Sequence, residues 1–553
     1  MALLERRIGL LFAAFLALLL LAAGRALWLG GVKGGSLASA ATSQQVTDTE
    51  IPAERGSIVD RNGLDLAVSE PAADISATPY LVRDPLKAAA KLAPALGMTE
   101  EQLVQKLARK DTGFVYLARG VPADRAAKVQ RLNIPGVALT PGYLRFYPRQ
   151  FLASQLLGSV GTDGRGLSGI EYARNKLLTG TNGERRLVKD ALGQSINVRD
   201  TKPAKPGGKL ELTIDGAIQD EVEQVLAKVG RTYSPKGATA IVMDPRDSEV
   251  LALANWPRVD ANKPWAAPAY ATQNRAVGTT YEPGSTFKAV TVAGALEDGT
   301  VKPDTKFALA PQIQVADRTI GESHPRGYVS LSTAEILAQS SNVGAITIGL
   351  KEGKQRFDKW VRRFGFGSPT GVDLPGEERG IVLPVDKYSG SSMGNLPIGQ
   401  GVAVTPMQMA TAYAAIANGG ILRTPQVVRS VDGERVAASK GRRVISARTS
   451  YQLRTMLEGA FAPGGTASEV AIPGYKLAGK TGTANKIDPQ TGQYSKASYV
   501  ASFIGFAPAL NPRLLIAVIV DEPHGAIYGG TVAAPAFGEI ASFALPYLKI
   551  PPR

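Results

Sequence analysis

Tyr281-Glu282-Pro283-Gly284-Ser285-Thr286-Phe287-Lys288 decides how the chain is read, because a turn-forming Pro-Gly pair delivers a serine to the head of an apolar helix. Ala289, Val290, Val292, Ala293, Ala295 and Leu296 continue the helical run, and Gly299 stops it. A spacing of three residues puts Ser285 and Lys288 on one face, hydroxyl beside amine. Serine is a poor nucleophile near neutral pH and needs an adjacent base, and a lysine can serve only when it is neutral. Holding an amine of ordinary pKa ~10.4 neutral at pH 7 costs roughly 4–5 kcal/mol, which burial beside a second cation could supply. A second cation is therefore expected elsewhere in the chain.

Serine followed by lysine three residues on occurs only at Ser285, yet such a pair alone is also what a surface helix start looks like. Two further elements follow it in order, Ser340-Ser341-Asn342 and Lys480-Thr481-Gly482. Together they form the ordered triple of penicillin-recognising acyl-serine enzymes, with Ser-Ser-Asn where many serine β-lactamases carry Ser-Asp-Asn. Ser195-Ile196-Asn197 also fits Ser-x-Asn, but it precedes the nucleophile in a polar connecting region and is set aside.

Composition narrows the alternatives. A chain of 553 residues, 44% hydrophobic, exceeds what one core usually organises, so two or three globular domains are expected. With no cysteine there are no disulfides, thiol nucleophile or thiolate metal site. His324 and His524 are the only histidines, too few to favour a Ser-His-Asp triad or a histidine zinc site. The formal charge of +15 attracts anionic lipid, cell-wall polymer or nucleic acid alike. Because no basic run is interleaved with aromatics, nucleic acid is not expected as a partner.

Ile8 to Ala23 is unbroken apolar sequence behind Arg6 and Arg7. It spans about 24 Å of a roughly 30 Å hydrocarbon core, so a crossing continues through Trp28 and Leu29 with Arg25 snorkelling outward. A cleaved signal peptide with Ala38-Ser39-Ala40 as its site is the competing reading, but that site lies far past the apolar run. The expected order is a short tail over 1–5, an anchor over 6–29, a Gly/Ser/Ala/Thr-rich tether over 30–50, a non-catalytic domain over 51–208 and the catalytic domain over 209–553. Helical patterns at Leu86–Leu96 and Glu100–Ala108 fall in the non-catalytic part, which carries no assignable chemistry.

From Lys209 the texture changes. Leu210–Ile214 alternates as a strand, Ile218, Val222, Val225 and Leu226 mark a helix face, and Ala238–Met243 with Val250–Asn255 read as a hairpin. Lys476–Thr483, Tyr499–Ala507 and Leu514–Val520 read as three more strands before a last helix over Ala533–Tyr547. The fold class is thus α/β in the α+β sense and multidomain. One five-stranded antiparallel sheet is covered by helices, with a helical lobe inserted after the hairpin and the catalytic elements at the junction.

These residues resemble the class B penicillin-binding proteins, membrane-anchored D,D-transpeptidases of peptidoglycan, over nearly the whole chain. Arg55–Gly63 resembles the entry to the family's pedestal, Gly166–Glu171 its return, and Leu212–Gln219 the start of its transpeptidase domain. Tyr281–Gly284, Tyr499–Phe503, Tyr528-Gly529-Gly530 and Ala533–Phe537 are similar to the division-type subgroup, whereas the elongation type more often has proline where Glu282 stands. The resemblance implies Ser285 as nucleophile, Lys288 as its proton acceptor, Ser340 as relay to the leaving amine, Asn342 as a hold on the donor peptide and Lys480 as the second cation. Which residue is the acylation base is disputed in such enzymes. Thr481, Gly482, Thr483, Tyr528 and Gly529 are implied in substrate binding, with the N–H groups of Ser285 and Thr483 as oxyanion hole. No cofactor and no metal are implied. The implied partners are stem peptides ending in D-Ala-D-Ala, β-lactams, an integral-membrane glycan polymerase of the division type and other division proteins. A secreted β-lactamase, an elongation-type class B transpeptidase, a D,D-carboxypeptidase and a catalytically dead scaffold are the competing readings. The anchor and long first half oppose the first, and the intact triple opposes the last.

Overall fold

The computed structural model describes residues 2–35, 46–189 and 195–552. The Ala38-Ser39-Ala40 site and residues 36–45 of the expected tether lie outside them. The apolar N-terminal run forms a helix over Ala2–Leu27 that passes into a π-helical turn at Trp28–Val32. Leu10, Leu11 and Phe12 are exposed along it, and Leu4–Val32 is long and apolar enough to cross a membrane by length and composition. Arg25 and Lys33 place their cations 5.1 and 4.7 Å from the centroid of the Trp28 ring, so the charges flanking the apolar run gather on its one tryptophan.

Two compact units divide the chain. One comprises Met1–Glu54, Pro71–Tyr143 and Gly180–Pro206; the other comprises Arg55–Glu70, Leu144–Thr179 and Gly207–Arg553. In the first, Val46–Ile51, Gly183–Lys189 and Ser195–Lys202 form a three-stranded antiparallel sheet. The end of the stretch read as tether is therefore strand, and Ser195-Ile196-Asn197 opens another strand. Polar and charged residues make up most of all three strands, so no alternating apolar face announces them in the sequence. Helices Pro85–Leu96 and Glu100–Leu107 start on side-chain caps from Asp84 and Thr99 and bury Ala89, Leu92, Leu103 and Leu107 against Ile75 and Leu117.

The second unit is built on an antiparallel sheet whose strand order is Val250–Trp256, Gly237–Met243, Leu514–Asp521, Tyr494–Ala507, Ala478–Ile487. The period of two sends Ala238, Ala240 and Val242 to one core and Ile241 and Met243 to the other. Helices Gly216–Tyr233 and Gly529–Tyr547 cover the first face. On the second lie Lys288–Glu297, Pro406–Ala417 and Ala447–Glu458. The inserted lobe also holds helices Thr333–Ala338 and Asn342–Glu352 and two short hairpins, Lys306–Leu309 with Val329–Ser332 and Gln312–Val315 with Arg318–Gly321.

A single boundary at 208/209 does not coincide with these units. Ile58, Leu66, Leu156, Ile170 and Leu178 are buried in the same core as Leu210, Ile214 and Leu253, and Ile58 pairs in parallel with Leu210.

Candidate active site

Pro283 and Gly284 lead into a 3₁₀ turn over Gly284–Phe287, and the α-helix begins at Lys288. Residues three apart eclipse one another in a 3₁₀ turn, so Ser285 and Lys288 stand on one side of this turn rather than on an α-helical face. Gly284 has φ +53°, and a Cβ there would lie 2.9 Å from the Thr483 carbonyl oxygen. Only glycine lets the nucleophile turn press onto the edge strand Ala478–Ile487.

Lys288 has no exposed surface. Its Nζ donates to the carbonyl oxygen of Ser340 at 2.6 Å, to Asn342 Oδ1 at 2.6 Å and to Ser340 Oγ at 3.3 Å, three acceptors for an ammonium's three protons. Burial pushes the amine down to about 7, against the opposing pull of the Glu322 carboxylate. Ser285 is half-buried and lines the cleft.

Ser340 follows helix Thr333–Ala338 with φ +61°, a left-handed conformation uncommon for serine. That bend allows Ser341 to cap the next helix, Oγ accepting from Gly344 N at 2.9 Å, with Asn342 as the first helical residue.

On the edge strand, Lys480 is also fully buried, and its Nζ donates to the Thr481 carbonyl oxygen at 3.2 Å. Burial, and then the charge of Lys288, hold it well below the ordinary lysine range. Burial beside a second cation was expected to lower Lys288. Burial does lower Lys288, while the charge repulsion between the two lysines falls on Lys480.

Three backbones converge next to these lysines. A Cβ on Gly482 would lie 2.4 Å from Ser502 Oγ and 3.0 Å from the Pro283 carbonyl oxygen, and one on Gly529 2.2 Å from the Ser502 carbonyl oxygen and 2.4 Å from that of Gly482. Gly529 N donates to Thr483 Oγ1 at 3.1 Å, and Thr481 Oγ1 donates to Thr466 Oγ1 at 2.7 Å. Ser285, Ser340, Asn342, Thr481, Thr483, Tyr528 and Gly529 line one cleft of about 740 Å³. Lys288, Lys480 and Gly482 stand behind its wall. Tyr528 packs its ring against His324, centroids 5.3 Å apart.

The site also rests on side chains whose partners the sequence does not announce. Glu322 accepts from Ser341 Oγ at 2.6 Å and from Asn342 N at 2.5 Å, and it pairs with Arg326. Glu282 accepts from Gly401 N at 2.9 Å and from the Tyr494 hydroxyl at 3.2 Å, tying the nucleophile's approach to the edge hairpin. Glu322 and Arg326 are four apart, but in a loop, where that spacing carries no signal. Gly464-Gly465-Thr466 was the one legible hint, a glycine-flanked hydroxyl in a turn.

The penicillin-binding protein transpeptidase domain matches residues 238–542, and the penicillin-binding protein dimerisation domain matches residues 50–212. Over 538 residues the chain is 35% identical to stage V sporulation protein D of Bacillus subtilis, across 94% of this chain and 82% of that protein. Over 553 residues it is 32% identical to the peptidoglycan D,D-transpeptidase FtsI of Escherichia coli, across 99% of this chain and 92% of that one. A crystal structure of penicillin-binding protein 3 from Mycobacterium tuberculosis, complexed with aztreonam, matches with a TM-score of 0.72 at 30% identity, over 91% of this chain and 98% of that one.

Proposed function

Because the chain belongs to the class B penicillin-binding proteins, we propose that it is a serine D,D-transpeptidase that cross-links peptidoglycan stem peptides through an acyl-enzyme on Ser285. The observation that carries this reading is Lys288, an amine lowered to about 7 by burial, three residues from a cleft-lining serine. Near neutral pH a large share of it is unprotonated and able to accept the Ser285 proton.

As Ser285 Oγ bonds to the carbonyl carbon of the penultimate D-alanine, its proton passes to Lys288. The resulting oxyanion is held by the backbone N–H groups of Ser285 and Thr483. Collapse breaks the C–N bond, and the departing D-alanine nitrogen takes a proton relayed from Lys288 through the Ser340 hydroxyl, which Lys288 Nζ approaches to 3.3 Å. An amine of a second stem peptide then attacks the ester, loses its proton along the same relay in reverse, and releases Ser285. Asn342 and Thr481 hold the donor peptide's amide and carboxylate. Gly482, lacking a side chain, lets a peptide backbone lie along the edge strand, and Tyr528 and Gly529 close the cleft's far wall. β-Lactams enter the same first half-reaction and stop at the ester.

The apolar helix Leu4–Val32 serves in this reading as a single-pass anchor with the catalytic unit outside the cytoplasm. Residues 51–208 form a pedestal that engages a division-type membrane glycan polymerase and other division proteins, which keeps Ser285 near nascent strands and raises their effective concentration. The role is septal wall synthesis. Mass spectrometry of the intact protein after penicillin exposure tests the chemistry: a stable adduct that maps to Ser285 and is absent from Ser285→Ala is expected. Rapid loss of the adduct would identify a β-lactamase instead, and no adduct would mean a scaffold.

A further inference from the structure

Lys288 and Lys480 have no exposed surface, and the charge of Lys288 acts on Lys480; a buried charge needs a partner close by. The charged groups facing them come from three elements. Lys480 is on the edge strand, Lys288 heads its helix, and the loop after Gly321 brings Glu322 with Arg326. Among the described residues Glu322 is the one carboxylate that acts on Lys288.

Its position is built rather than incidental. The side chain is 7% exposed. One oxygen accepts from Ser341 Oγ at 2.6 Å and the other from Asn342 N at 2.5 Å, while Arg326 pairs with the first. Asn342 in turn donates from Nδ2 to the Gly321 carbonyl oxygen at 3.0 Å, so loop and turn hold each other at two points. A negative group at this spot also faces the N-terminus of helix Asn342–Glu352, where the helix dipole favours it. The middle residue of the second signature is Ser341, where related enzymes carry aspartate, and Glu322 brings a carboxylate to that serine's hydroxyl from another part of the chain.

We propose that Glu322 is a positioning residue of the acyl-transfer site, fixing the Ser340–Asn342 turn against Lys288 and supplying the negative counter-charge to that buried amine, with Arg326 opposing it. This rests on the reading of Ser285 as nucleophile and Lys288 as proton acceptor. A mere brace for the turn would slow acylation at every pH alike. A counter-charge shifts the pH at which acylation turns on, because it stabilises the protonated amine.

The test is the rate of Ser285 acylation by a fluorescent penicillin between pH 5 and 9, in the full-length protein, for wild type, Glu322→Gln, Arg326→Gln and Ser285→Ala. Glu322→Gln keeps the shape of the side chain and loses the charge, so its midpoint should fall by about one pH unit. Arg326→Gln leaves Glu322 unopposed, so its midpoint should rise. Opposite shifts support the proposal. Unchanged midpoints in both variants, or shifts of the same sign, overturn it, and should Glu322→Gln fail to fold, the direction seen in Arg326→Gln decides alone. Labelling of Ser285→Ala would instead sink the nucleophile assignment, so the two failures are told apart.

Discussion

Lys288 loses every contact with water on folding, and that has a sign that can be measured. Its value of about 7 lies below the 10.5 of an ordinary lysine, so between those values the unfolded chain binds the extra proton and stability rises with pH. Below about pH 7 the full cost stands, on the order of 4–5 kcal/mol. Denaturant titrations of Lys288→Met should show a smaller rise in unfolding free energy from pH 7 to 9 than wild type, and wild-type penicillin acylation should switch on through about pH 7. A flat wild-type stability profile would contradict the burial argument. The glycines beside it are as restrictive. Gly529→Ala would drive a methyl to within 2.2 Å of the Ser502 carbonyl oxygen, which should lower stability by about 1–3 kcal/mol and slow acylation; unchanged thermal unfolding would show that the helix start can shift. At this scale the sequence was informative where chemistry is local. Ser285 and Lys288 announce themselves by a spacing of three. Glu322 could not, since its partners Ser341 and Asn342 are joined to it only by the fold.

Helix Asn342–Glu352 begins at the catalytic turn and ends on Glu352, a carboxyl 2% exposed with neither oxygen bonded. It lies against Gly294 of the nucleophile helix, where a Cβ would stand 2.8 Å from Glu352 Oε1. Burial, and then the charge of Asp298, push the carboxyl up to about 8. The folded value is raised, so stability is lost as pH climbs from about 4.5 towards 8. Glu352→Gln should therefore gain about 1–3 kcal/mol at pH 8 and less at pH 5, read by thermal unfolding at both; a gain equal at both would mean that the carboxyl is neutral throughout. Elements with a strong period were legible. The hairpin Gly237–Met243 and Val250–Trp256 falls within a residue of its expected bounds, and the helix Gly216–Tyr233 buries the face expected of Ile218, Val222, Val225 and Leu226. The strand Tyr494–Ala507 starts five residues early because Ser495 to Ser498 are polar and largely exposed, with no buried face to give an alternation. The lobe's four-residue hairpin strands are too short for a periodic signal.

For the molecule as a whole, two stretches noted for resemblance alone, Arg55–Gly63 and Gly166–Glu171, turn out to meet on one residue. Glu171, without exposed surface, holds Arg55 Nε at 2.7 Å and Arg145 Nε at 2.6 Å. Removing it would leave two guanidiniums buried without a counter-ion, so Glu171→Ala should cost about 3–5 kcal/mol, measured by denaturant unfolding. A loss below 1 kcal/mol would mean that water reaches the arginines. Segments so far apart in sequence share a unit for reasons that composition does not carry, which is why a single boundary was expected where the chain crosses several times. The sheet has one further implication. Its strand Ala478–Ile487 has a neighbour on one side only, and an open row of amides invites any extended chain, including another copy of the same protein. Closing that row would shut out a peptide laid along it, so self-association has to be discouraged by other means. Lys486, near the end of that strand, turns its amine across the sheet to Asp521 and Glu522, so its charge is taken up within the sheet rather than along the open row. The row of amides that would receive a peptide beside the nucleophile is thus the same row that pairing with another copy would close.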